Sequence, residues 1–235
     1  MELRLDKKVS GPTIIEGFPG FGFVGTIATE FLIEHLDAKP IGKIHSHEIL
    51  PMAAIHKSTI VEPLGIFYSK KHNILIIHAM TGINGLEWKI SAAVQELYKK
   101  VKAKELISLE GVGNPTPNKN SNVYYYSSVD RIKNRFDKLS MKPLKEGIVM
   151  GVTGSLLLRS NLPLTAIFVE TTTGLPDSRG AAKLIEVLDK YLHLNIDYKP
   201  LLKKAEEFES KLKGIMQQSK AAGQVKDKKE LGYFG

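Results

Sequence analysis

The sequence predicts an α/β domain built on a largely parallel central sheet. Three observations carry this expectation. Short apolar runs alternate with segments of helical periodicity along most of the chain, the pattern of strand–helix–strand construction. Some of these runs, residues 74–77 above all, are apolar at every position and read as strands covered on both faces. Polar or glycine-rich breaks follow them directly, where the strand-to-helix connections of an open sheet lie.

Element by element, the first buried strand falls at residues 13–18, ended by Pro19 and a glycine-rich turn. A helix follows over 23–36, with Ile27, Phe31 and Leu32 on its buried stripe. Residues 40–63 read as two short strands broken by Leu50 and Pro51, and 64–68 with 73–78 as a hairpin turning at 69–72. Gly82 and Gly85 break the chain before a helix at 86–101. Another buried strand occupies 105–110 and ends in Gly111-Val112-Gly113. The Asn- and Pro-rich run 114–122 is a loop, followed by a strand at 123–127 and a helix at 129–139. Residues 147–151 read as a short strand, 154–159 as a helical turn and 164–170 as the last buried strand. A polar loop at 171–178 leads to a helix at 179–191. No linker or internal repeat interrupts this series, so residues 1–198 are expected to form one domain.

A C-terminal helix is expected at 199–216. Leu201, Ala205, Phe208, Leu212 and Ile215 recur at steps of 4, 3, 4 and 3, an apolar seam that packs either on the domain or between copies in an oligomer. Residues 217–235 read as a polar, lysine-rich and mobile tail.

Composition narrows the function. The chain has 235 residues, 43% apolar and 25% charged, with a formal net charge of +8 and no cysteine. That excludes disulfides, thiolate nucleophiles and Cys-ligated metal. No apolar run reaches the roughly 20 residues of a membrane span, and residues 1–6 lack the apolar core of a signal peptide, so a cytoplasmic protein without membrane contact is expected. The basic excess is almost all lysine, with only Arg4, Arg131, Arg135, Arg159 and Arg179 as arginines. It is spread out and not interleaved with aromatic residues, so nucleic acid is not the expected partner. Abundant Lys and Glu without Cys also fits a thermophile.

Several motifs could carry chemistry. Gly20, Gly22 and Gly25 match G-x-G-x-x-G after a strand and before a helix, the position of a dinucleotide fingerprint. Large Phe21 and Phe23 sit in the turn and no acid ends the next strand, so close helix–sheet packing and positive φ explain the glycines better. His45 and His47 share a strand face without a third ligand at a diagnostic spacing. Ser155 lacks the Gly-x-Ser-x-Gly frame of a nucleophile elbow. Gly20, Gly22, Gly25, Glu110, Glu170, Asp177 and Arg179 all fall in or beside breaks after strands and form a candidate ligand crevice. No catalytic residues, metal or cofactor are expected.

Four stretches together carry a resemblance: Gly17-Phe-Pro-Gly-Phe-Gly-Phe-Val-Gly25; Glu110-Gly-Val-Gly113; Val152-Thr-Gly-Ser-Leu-Leu157; and Glu170-Thr-Thr-Thr-Gly-Leu-Pro-Asp-Ser-Arg179 with the helix after it, continuing into Asp197 and 203–209. In this order and spacing the chain resembles the archaeal proteasome-assembly-chaperone family, once labelled ATP-grasp-like. The resemblance implies a three-layer α/β sandwich like that of nucleoside phosphorylases but without established activity. It further implies a non-enzymatic homo-oligomer that binds proteasome α-subunits. Proteasome activators end in a hydrophobic residue, tyrosine and a final residue. Here Leu231, Tyr233, Phe234 and Gly235 offer an approximate version, with a phenylalanine ring at the penultimate place. Several such tails on one oligomer would bind with avidity. The alternative is a small-molecule protein or enzyme that takes a nucleoside or nucleotide in the strand-end crevice.

Overall fold

Four apolar strands lie side by side and parallel at the centre of a nine-stranded sheet. The computed structural model describes residues 1–49, 53–56, 59–114, 122–171 and 175–197, with 203 and 207. The seam and tail residues named above lie outside the described residues. In chain order the strands are β1 (Glu2–Leu5), β2 (Thr13–Gly17), β3 (Lys39–His45), β4 (Ala54–His56), β5 (Thr59–Val61), β6 (Leu64–Ser69), β7 (Ile74–Ala79), β8 (Glu105–Gly113), β9 (Val123–Ser127), β10 (Lys142–Pro143) and β11 (Leu164–Thr171). The helices are α1 (Val24–His35), α2 (Glu87–Lys100), α3 (Asp130–Lys138), α4 (Gly151–Arg159) and α5 (Ser178–Leu192). A single 3-10 turn, Phe21–Phe23, precedes α1.

The main sheet runs β1-β3-β6-β7-β2-β8-β11-β9-β10, with β7, β2, β8 and β11 forming the parallel centre and antiparallel pairings flanking it. Strands β4 and β5 form a separate hairpin. Period-two alternation sends the central side chains to opposite layers. Ile15, Ile76, Ile107, Leu109 and Ile167 join one buried cluster with α1, α3 and α5. Ile14, Leu75, Ile77, Leu106 and Leu164 join a second with α2 and α4. The architecture is therefore the three-layer α/β sandwich expected. Ile27, Phe31 and Leu32 are all buried in the first cluster, as their helical spacing predicts.

Three elements depart from the sequence-based expectation. The strand expected at 147–151 does not form. Instead a two-residue strand, β10, pairs in parallel with Tyr124 and Tyr125, and the chain reaches α4 without regular structure. Glycines at 147 and 151 flank an exposed Ile148 and Met150 there, and no strand neighbour satisfies that backbone. The 40–63 segment holds three strands, not two, because β4 and β5 pair with each other apart from the main sheet. Residues 2–5 form an unexpected edge strand, β1, whose Leu3 and Leu5 pack on the second cluster while Glu2 stays exposed.

Polar and ring contacts tie the elements within each layer. The Ser91 and Ser155 hydroxyls meet at 2.7 Å, tying α2 to α4. The Arg159 guanidinium lies 4.3 Å from the centre of the Trp88 ring, across the same helix pair. On the opposite layer, Tyr125, Phe136 and Tyr191 stack in series with centroids 4.7 and 4.5 Å apart. Arg135 closes the stack 4.0 Å from the Tyr191 ring centre.

A carboxyl pair beneath a strand-end cavity

Parallel strands deliver their C-terminal ends to one edge of the sheet, and a cavity of about 480 Å³ opens there. Its wall includes Phe18, Phe21, Phe23, Ile83, Val112 and Phe168, and its rim includes Ile148 and Met150. Gly20 and Glu110 are among its lining residues.

The pairing register explains the polar floor. Glu16 of β2 stands opposite Ser108 of β8, and Glu110, two residues further on, stands opposite Phe168 of β11. Period two places Glu16, Ser108 and Glu110 on the face covered by α2 and α4. Thr153, in the first turn of α4, comes down on both acids. Its hydroxyl oxygen lies 2.6 Å from Glu110 Oε1 and 3.2 Å from Glu16 Oε1. The Ser108 hydroxyl donates to the same Glu16 oxygen. Glu16 Oε2 is buried and accepts no hydrogen bond among the described residues.

This arrangement favours protons. Burial pushes the Glu16 carboxyl up to about 7, against the opposing effect of the Ser108 and Thr153 hydroxyls. Burial, then the neighbouring Glu16 charge, pushes Glu110 up to about 8 although Thr153 bonds to it. A hydroxyl carries one proton, so Thr153 donates to one carboxyl and accepts from the other when that one is protonated. The group thus works as a hydrogen-bonded chain that holds a proton at neutral pH.

The other predicted crevice residues do structural work away from this cavity. Gly22 adopts φ 65°, which places its carbonyl to accept from the Asp177 amide at 2.8 Å. Asp177 in turn caps α5 by accepting from the Gly180 amide at 2.8 Å. Gly25 presses α1 onto β8, and a Cβ there would sit 2.3 Å from the Leu109 carbonyl oxygen. Glu170 bridges β11 to β9 by accepting from Tyr124 at 3.0 Å and the Asn122 side-chain amide at 3.0 Å. Its partial burial acts upward, but bonds from Asn122, Tyr124 and Asn114 prevail and hold its carboxyl below the ordinary value. Arg179 is exposed in the first turn of α5. His45 and His47 meet edge to face at 5.1 Å. No three His, Cys, Asp or Glu side chains cluster as a metal site among the described residues. No described helix is long and apolar enough to cross a membrane.

Glu16 is the functional candidate that sequence reasoning missed. The available signal was an acid inside an otherwise apolar central strand, Thr13-Ile-Ile-Glu-Gly17. Thr153 was likewise legible only as part of a motif, not as the group that joins two acids.

The frame of the molecule is a three-layer sandwich with a parallel centre and a glycine turn packed under its first long helix. Residues 14–216 match the PAC2 family, and the chain belongs to that family. It is similar to Pyrococcus furiosus PbaA, described as an archaeal homolog of proteasome-assembly chaperone. The two are 34% identical, with 94% of this chain and 98% of that one covered and a TM-score of 0.85. The uncharacterized protein MJ0106 of Methanocaldococcus jannaschii is 31% identical over 217 residues, which is 88% of this chain and 86% of that protein. Pyrococcus furiosus PbaB, described as an archaeal proteasome activator, shares the fold with a TM-score of 0.73 at 20% identity, covering 92% of this chain and 98% of that one.

Proposed function

We propose that this protein is a proteasome assembly chaperone or proteasome-binding factor of the archaeal cytoplasm, without enzymatic activity. In this reading a homo-oligomer docks on α-subunit rings through its C-terminal tails. The observation that carries the reading is the near full-length likeness to PbaA at 34% identity. The sequence of the tail supports the mode of docking. Leu231, Tyr233 and Phe234 end a polar stretch, and an oligomer that presents several such ends gains avidity without any one of them binding tightly. The seam of Leu201, Ala205, Phe208, Leu212 and Ile215 is the segment proposed to build or orient that oligomer.

Native mass spectrometry of the full chain with proteasome α-subunits tests this, alongside a chain ending at Glu230. The expected result is an oligomer that captures α-subunits and loses most of that capture on truncation. Equal capture by both chains removes the tail from the mechanism, and no capture by either removes the function.

The nucleotide alternative loses support at the cavity. Glu87 and Glu110 are the charged residues that line it among the described residues, with no lysine, arginine or histidine among them. A phosphate would meet like charge there.

A further inference from the structure

The carboxyl pair and the cavity above it are not used by docking through a C-terminal tail. The two acids are joined through Thr153, with Ser108 donating to Glu16, and among the described residues no cationic side chain is bonded to either. Among the described residues, the charged groups at this site are acidic: the Glu16 charge from β2 acts on Glu110, and Glu87 from α2 lines the same cavity. Glu110 stands opposite Phe168 of β11, meets Gly20 from the turn before α1 and meets the Thr153 hydroxyl from α4. The second, separate observation is Glu16 Oε2, an acceptor fully removed from solvent on the acid that Thr153 links to Glu110, with no donor among the described residues. The third is the wall itself, which is apolar and rich in phenylalanine.

We propose that this cavity binds an organic ammonium ion with an apolar body, its N–H groups meeting the Glu110 carboxylate and its body lying against Phe18, Phe21 and Phe168. The chemistry follows from what is present. An ammonium supplies donors and the counter-charge that two buried acids lack. Aromatic rings attract a cation and bury the hydrocarbon attached to it. Binding releases to solvent the proton that the pair holds at neutral pH, so affinity rises with pH while the ligand stays protonated. An anion meets two acids and is rejected. The proposal does not depend on the proteasome reading.

The test is isothermal titration calorimetry of the full chain with n-butylammonium and benzylammonium chloride, against n-butanol, benzyl alcohol and benzoate. It is run at about pH 8.5 and about pH 6, on either side of the raised carboxyl values. The expected result at the higher pH is ammonium binding at least about tenfold tighter than that of the matching alcohol, with benzoate silent. The preference is expected to disappear at the lower pH, where a carboxyl raised to about 8 is almost wholly protonated. Glu110→Gln is expected to abolish the preference while far-UV circular dichroism stays unchanged. Phe21→Ala, which alters a ring already 45% exposed at the rim, is expected to weaken both ammonium ions at least about fivefold. Phe21→Ala decides the matter if Glu110→Gln does not fold. The proposal is overturned if neither ammonium ion binds or if ammonium ions and alcohols bind alike. Undiminished ammonium affinity in a folded Glu110→Gln or in Phe21→Ala also overturns it.

Discussion

Glu16 and Glu110 sit on neighbouring parallel strands and reach the same hydroxyl, that of Thr153, at 3.2 and 2.6 Å. Both carboxyls hold their protons more tightly in the folded chain than an exposed carboxyl does. The folded state therefore carries more protons than the unfolded state between the ordinary carboxylate value and about 7 to 8, and stability falls as pH rises through that window. Glu16→Gln removes one ionisation and should flatten the fall. At about pH 8 it is expected to be more stable than the parent by on the order of 2–4 kcal/mol, with a smaller difference at about pH 5. Urea unfolding of both proteins at three pH values measures it, and a gap that does not grow with pH contradicts the shared-proton account.

Tyr191 donates to Glu105 on the opposite layer, with 2.9 and 3.0 Å to its two oxygens, and Thr165 donates to the same carboxyl at 2.8 Å. Burial raises the Glu105 carboxyl above its ordinary value despite these bonds and the nearby Arg135 and Arg131. Tyr191→Phe keeps the ring stack and removes one donor. A loss of about 1–3 kcal/mol is expected in chemical denaturation, because a buried acceptor is left short of a partner.

Phe136 is fully buried between Tyr125 and Tyr191. Phe136→Ala opens a cavity between two rings that backbone elements hold apart. The expected cost is about 3–5 kcal/mol, read as a lower urea midpoint at unchanged slope.

Gly25→Ala drives a methyl group against the Leu109 carbonyl, 2.3 Å away. Backbone on both sides prevents an easy escape, so α1 must lift from the sheet. A destabilisation of about 1–3 kcal/mol or more is expected. The same variant at Gly82, where a Cβ meets nothing within 4 Å, should change thermal stability little. A neutral Gly25→Ala would contradict the packing explanation of the glycine turn.

The sequence disclosed the architecture because its central strands are rich in apolar residues, without interruption at 74–77, and alternate with helical segments, so burial on both faces and parallel pairing were legible. It also pointed to packing as the role of the glycine turn, since Phe21 and Phe23 weaken a phosphate cradle, and Gly25 does lie close against Leu109 of β8. Where it fell short, the deciding interactions were distant in the chain. Strand β1 has four residues, too few for an alternation signal, and exists because β3 offers it an edge. Strand β10 is set by its neighbour Tyr124 and not by its own residues. At the cavity, Glu110 was legible as an acid at a strand end. Its partnership with Glu16 required the register of β2 on β8, and 137 positions separate Glu16 from Thr153. Glu170, Asp177 and Arg179 shared the same kind of break in the chain, but the fold spends the first two on bridging and capping.

The contact between Trp88 and Arg159 has a practical meaning. The chain holds one tryptophan, and it stands in the first turn of α2 next to Glu87, a residue of the cavity wall. Its indole is 47% exposed and overlaid by a guanidinium from α4. Any event that spreads these two helices changes the dielectric and the charge felt by the indole. Its emission, excited apart from the eight tyrosines, is an intrinsic optical gauge of the strand-end cavity that needs no label and no added cysteine.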